Sequence, residues 1–174
     1  AHHGNHSIYF NKFCNSEKVI SIEGNPFNYN YLKDNITNNN CSNTLYNIII
    51  SDKCGDTLQM EYDLENTGSS TVINSSNTSI EKKYIQNTTT TLNNLLKDEY
   101  KISIIKLDIE NYEYPALLGA KEIIDKFHPV IVIELHKTNP YYNEIIDFLE
   151  QNNYTTDNIN YAYSPTYIYE KCCS

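Results

Sequence analysis

Apolar residues along this chain follow two spacings. Short unbroken runs occupy residues 18–23 (KVISIE), 45–51, 102–108 and 130–135. They are β-branched and too short for helices, so they read as buried strands. Other apolar residues recur at helical spacing. Tyr29, Leu32 and Ile36 form one such stripe, and Leu117, Ala120, Ile124 and Phe127 a second. Tyr141, Ile145, Phe148 and Leu149 form a third. Asn25-Pro26 and Asn139-Pro140 open the first and third of these helices, with Asn as N-cap and Pro at the first helical position. Pro115 falls in the first turn of the second helix, which His128-Pro129 stops. Residues 6–13 and 91–96 predict two short helices, and the aromatic stretch 154–171 predicts two closing strands. Strands alternating with helices predict parallel βαβ units in a doubly wound α/β sheet. Right-handed crossovers then collect the strand C-terminal ends on one edge, where ligands bind in such sheets.

Residues 55–90 differ in texture. Ser, Thr and Asn dominate, while Leu58, Met60 and Tyr62 alternate with polar residues. One half-exposed strand or hairpin is predicted, followed by a polar loop around Gly68 that serves either as a substrate loop or as a surface insertion. The chain starts at Ala1 with a turn entering a helix, which reads as a fragment of a longer chain.

Composition narrows the function. The 174 residues suffice for one domain with a sizeable core. Net charge is −9, and every cationic side chain outside the histidines is lysine. Nucleic-acid recognition leans on Lys/Arg patches and bidentate Arg contacts, so no nucleic-acid partner is expected. No apolar run approaches the roughly 20 residues of a bilayer span, so no membrane partner is expected either. Cys14, Cys41, Cys54, Cys172 and Cys173 are odd in number and form no CxxC pair. Reduced thiols in the cytoplasm are the simpler reading than disulfides or a zinc ribbon.

The candidate chemistry sits at strand ends. Glu23 closes the first strand, where an acid can accept hydrogen bonds from a ribose. An acid beside a helix N-terminus also has a purely structural use. Gly4, just before the first helix, permits close backbone approach to a ligand. Asp108 and Glu110 lie two apart at the end of the third strand, as do Glu134 and His136 on the fourth. That spacing places each pair on one face of the sheet. Such groups can orient a hydroxyl, act as a general base or hold a divalent metal. A carboxylate ending a buried strand favours a function for Asp108, whereas Glu113 reads as a helix cap.

Several motifs in order carry a resemblance. IKLDIENYEYPALLGA followed by PVIVIELH resembles the IK-x-D-V-E-G-x-E, L-x-G-A and P-x-I-x-x-E pattern of the FkbM family of S-adenosylmethionine-dependent methyltransferases. VISIEGNP, NIIISDKCG, NTGSSTV and TTLNNLL resemble that family's other segments, in the same order. Asn111 stands where the family has Gly, and AHHG matches only the second half of its glycine-rich cofactor motif. The resemblance implies a Rossmann-like class I methyltransferase fold over residues 1–174, with the first strand missing from this fragment. It implies S-adenosyl-L-methionine as cofactor, held by Gly4, Asn5, Glu23, Ser51, Asp52 and Asp108. It further implies Asp108, His136 and Glu110 as catalytic residues, Glu134 on the acceptor side, no metal, and a small-molecule or glycan hydroxyl as acceptor. The competing expectations are a non-catalytic module that has lost cofactor binding, and a metal-dependent hydrolase built on Asp108, Glu110, Glu134 and His136.

Overall fold

The computed structural model describes residues 1–62, 71–73 and 83–172. The chain divides into two compact units. One comprises Ala1–Ile50 and Cys54–Thr89, the other Ser51–Lys53 and Thr90–Ser174.

The first unit opens with α1 (Asn5–Phe13), β1 (Ile20–Ile22), α2 (Pro26–Asn38) and β2 (Thr44–Tyr46). β1 and β2 pair in parallel, Ile20 opposite Thr44 and Ile22 opposite Tyr46. α2 connects them as a βαβ crossover. Its start is the one the sequence predicts: Pro26 is in the first turn, and the Asn25 side chain accepts from Phe27 and Asn28 N–H at 2.8 and 3.4 Å. α2 buries Leu32 and Ile36, each contributing about 1.5–3 kcal/mol of hydrophobic stabilisation. Ser7 of α1 and Ser21 of β1 share a buried 2.8 Å hydrogen bond.

β3 (Ile49–Ile50), β4 (Thr57–Tyr62), β5 (Thr71–Ile73) and β6 (Lys83–Thr90) form a second sheet in the order β3-β6-β4-β5. β4 runs antiparallel to both β5 and β6. The single strand predicted over residues 45–51 is therefore two strands in different sheets. Between them, the Asn47 side chain donates to the carbonyls of Glu23 (2.7 Å) and Gly24 (3.4 Å), and this ties the chain down where the ladder changes. β6 departs from the expected polar loop. Its threonines are β-branched and suit a strand despite their polarity. The predicted loop around Gly68 lies outside the described residues.

The second unit holds α3 (Leu92–Leu95), β7 (Ile104–Leu107), α4 (Glu113–Leu118), α5 (Lys121–Phe127), β8 (Val130–Glu134), α6 (Tyr142–Gln151), β9 (Tyr154–Thr155) and β10 (Thr166–Lys171). Its sheet order is β7-β8-β10-β9. β7 and β8 are parallel, Leu107 opposite Ile133, with α4 and α5 between them in sequence. β10 is antiparallel to β8 and β9, so this sheet is mixed. Ile131, Ile133, Leu117, Ile124, Ile145 and Leu149 are fully buried here. The predicted helix after Pro115 is two helices. The Gly119 carbonyl accepts from Asn93 N–H instead of continuing the helix, and Ala120 N–H turns back to Leu117. The third helix starts later than Asn139-Pro140 suggested. Asn139 Oδ1 accepts from Tyr141 N–H at 2.9 Å, an Asx turn that precedes the helix. Among the described residues, no helix is long and apolar enough to cross a membrane.

Candidate functional site

In the first unit, Glu23 directly follows β1, and its N–H extends the ladder to Tyr46 O at 3.0 Å. Its carboxylate is buried. Oε2 accepts from His2 N–H at 2.6 Å and from the Ala1 nitrogen at 3.0 Å, while Oε1 accepts from Asn25 N–H at 2.9 Å. The acid is thus fixed by main-chain donors from the 1–5 segment and from the start of α2. Gly4 caps α1 with φ +94°, and a Cβ there would meet Leu32 Cδ1 at 2.7 Å. Only glycine fits both constraints at low cost. Asn5 is the exposed first residue of α1. The His2 and His3 rings stack at 3.9 Å.

In the second unit, Asp108 lies one residue past β7. Lys106 is two residues earlier, on the same face of the strand, and its Nζ reaches Asp108 Oδ2 at 2.6 Å. Glu134 ends β8 and meets His136 Nε2 at 3.2 Å. Burial pushes the Asp108 carboxyl up, but its hydrogen bond with Glu134 and the Lys106 ammonium outweigh that and hold it at about 2. Glu134 moves the other way, raised first by that same hydrogen bond and then by burial, and partly opposed by Ser164. The Lys106 ammonium thus favours the charge on Asp108 over Glu134. Glu110 is raised by burial and then by the charges of Glu134, Asp108 and Glu113. It begins a tight turn in which both Glu110 (φ +54°) and Asn111 (φ +70°) are left-handed. Asn tolerates that conformation better than most residues, which explains Asn where the related pattern carries Gly.

This arrangement has a pH consequence. Asp108's folded value lies below its ordinary 3.8, so the stability it adds is complete above 3.8 and is lost as the pH falls through about 2. Lys106→Met is expected to flatten this acid limb in thermal melts over roughly pH 2–5. An unchanged limb would show that the ammonium does not hold Asp108 charged.

Ser51 is buried in the second unit. Its N–H donates to Thr90 O at 2.8 Å, and its hydroxyl lies 3.0 Å from Asp52 Oδ1 and 3.2 Å from the Tyr112 hydroxyl. Asp52 is exposed. The structure thus brings Asp108, Glu110, Glu134 and His136 into one polar cluster around two strand ends. Glu113 is not exposed beside them but buried, with its carboxylate accepting from Ile109 N–H and Asn139 Nδ2, both at 3.0 Å. Sequence reasoning missed Lys106, although its position two before Asp108 on the same strand face was a usable signal. It also missed Ser164 and the second role of Asn139, for which a single sequence offers no signal. Among the described residues, no group of three or more His, Cys, Asp or Glu side chains is arranged to hold a metal ion.

A mixed α/β chain with a carboxylate cluster at its strand ends has the framework of a ligand-binding α/β enzyme. The sequence model of the methyltransferase FkbM domain matches residues 1–156, and the chain belongs to that family. No curated protein matches the sequence. The fold is similar to the crystal structure of methyltransferase FkbM from Methylobacillus flagellatus KT, with a TM-score of 0.56 and 16% identity. That similarity covers 88% of this chain and 36% of the other, so the chain spans little more than a third of that protein.

Proposed function

We propose that residues 1–174 act as one methyltransferase domain with a Rossmann-like, doubly wound class I fold. It takes S-adenosyl-L-methionine as methyl donor and methylates a hydroxyl oxygen of a sugar, a glycan or another hydroxylated small molecule. The observation that carries this reading is the polar cluster at two strand ends, Asp108 with Lys106 at 2.6 Å and Glu134 with His136 at 3.2 Å, in a chain of the FkbM family.

Two features of the first unit support such a donor. Glu23 is a carboxylate held by the His2 and Asn25 N–H groups, and with about four acceptor positions on a carboxylate it keeps room for a ribose hydroxyl. α1 has no acidic residue in its first turn and no side-chain cap at Gly4, which suits an anionic group near Gly4 and Asn5. Ser51 and Asp52 are assigned to the adenine side, and Asp108 to the neighbourhood of the methyl. Bound S-adenosylmethionine would supply an electrophilic methyl on a sulfonium. Asp108 would take the proton of the acceptor hydroxyl as the new oxygen–carbon bond forms and the methyl–sulfur bond breaks, the sulfur leaving as the neutral thioether. Lys106 keeps Asp108 charged before that step, and Glu110 and His136 orient the hydroxyl. A cytoplasmic location belongs to this reading, resting on the odd cysteine number and the lack of a CxxC pair in the sequence. The acidic, arginine-free composition supports a small-molecule or glycan partner rather than nucleic acid.

Calorimetric titration of S-adenosylmethionine tests the reading. The wild-type chain should bind, and Glu23→Ala should weaken binding by about 10–100-fold, the loss of one charge-assisted hydrogen bond. Absence of binding by the wild type would overturn the assignment of this donor.

A further inference from the structure

Glu113 is almost fully buried, yet no step of the proposed reaction uses it. We propose that Glu113 and Asn139 are positioning residues, a buried polar brace that sets the Asp108 turn against the His136 end of β8. This rests on the reading that these two segments form the acceptor side.

The brace is continuous. Ile109 N–H, next to Asp108, donates to Glu113 Oε1 at 3.0 Å, and Asn139 Nδ2 donates to Oε2 at 3.0 Å. Asn139 N–H donates to the carbonyl of His136 itself at 2.9 Å. Asn139 Oδ1 takes Tyr141 N–H, and its carbonyl takes Tyr142 N–H at 3.1 Å. All four polar atoms of Asn139 are therefore engaged, and one residue, through its side chain and its main-chain N–H, links both candidate strand ends. The Tyr114 and Tyr141 rings stack at 5.5 Å across the same joint. What the brace restrains needs restraint, because the turn it closes carries two successive left-handed residues, Glu110 and Asn111. Burial raises the Glu113 carboxyl, opposed by the hydrogen bonds from Ile109 and Asn139. A packed apolar pair would avoid burying that carboxylate altogether. A polar pair instead fixes direction and separation, which bears on the spacing of Asp108 from Glu134.

A donor–acceptor swap tests this. Glu113→Gln alone places an amide NH2 against a donor, and Asn139→Asp alone places carboxylate against carboxylate. The double variant Glu113→Gln/Asn139→Asp restores the pairing in reverse. The new amide NH2 then donates to the new carboxylate, and the new amide oxygen still takes Ile109 N–H. The readout is the Asp108 carboxyl titration by carbon NMR in the protein without any methyl donor. In Glu113→Gln, where loss of a nearby like charge alone would lower Asp108, its titration should instead move from about 2 back toward its ordinary 3.8, and the double variant should return it. If Glu113→Gln lowers only the melting temperature and does not raise Asp108, or if the double variant stays displaced, the brace does not position the site. Wild-type protein that transfers no methyl to any hydroxyl would instead overturn the proposed function, and the Asp108 titration would still decide the brace.

Discussion

Asp108→Asn is expected to lower the rate of methyl transfer by about 10²–10⁴-fold, the usual range for loss of a general base. The substitution keeps the shape of the side chain and removes only its capacity to take a proton. Stability at neutral pH should fall modestly, by no more than about 1 kcal/mol for a partly solvated ion pair. The side chain is 38% exposed, and its partner Lys106 loses one partly solvated ion pair. The core residues beneath, Ile105 and Leu107, are untouched. Steady-state kinetics with S-adenosylmethionine and a panel of monosaccharides would measure the effect beside a thermal melt. Full activity in the variant would move the base elsewhere, with His136 as the first residue to examine. A large fall in melting temperature without a specific loss of turnover would make Asp108 a structural residue.

Gly119→Ala is expected to be the most damaging single methyl addition in the second unit. Gly119 has ordinary helical dihedrals, so conformational freedom is not why glycine is needed. The reason is a close approach. A Cβ would lie 2.0 Å from the Ser51 carbonyl oxygen, 3.0 Å from its carbon and 3.3 Å from Thr91 Cβ. The first two obstacles are main chain and cannot rotate away. The Ser51 backbone is itself held by its N–H bond to Thr90 O. A cost of about 3 kcal/mol follows from overpacking of this kind, equivalent to a drop of roughly 6–12 °C in Tm for a chain of this size. Differential scanning calorimetry would read it. A variant within about 1 °C of wild type, well below the roughly 2–4 °C expected for each kcal/mol, would mean that the Ser51 segment shifts freely.

Much of this was legible in the sequence because local chemistry decided it. Asn25-Pro26 announces the start of α2, and the structure places the Asn25 side chain on the two N–H groups expected of a cap. The apolar runs at 18–23, 102–108 and 130–135 are strands because nothing local competes with them. Where long-range contacts decide, the sequence misleads. Residues 45–51 look like one strand, and only the bonds from Asn47 to Glu23 and Gly24 show why they are two. β6 looks like a loop because threonine counts as polar in a hydropathy pattern while favouring strands in its backbone. Glu113 sits at the start of α4, as a cap reading suggests, but its partner Asn139 lies 26 residues away and is found only in the folded chain.

The short segment Ser51–Lys53 belongs to the second unit, although the residues on both sides of it, Ile50 and Cys54, belong to the first. No single cut in the sequence therefore separates the two. A gene fragment beginning at Thr90 would lose Ser51, and with it the hydroxyl partner of Tyr112 and the main chain that Gly119 is shaped to admit. The polypeptide is interleaved at the level of its coding sequence, whatever independence its halves have as packed bodies. Shuffling one half between relatives would have to carry three residues from the other along with it.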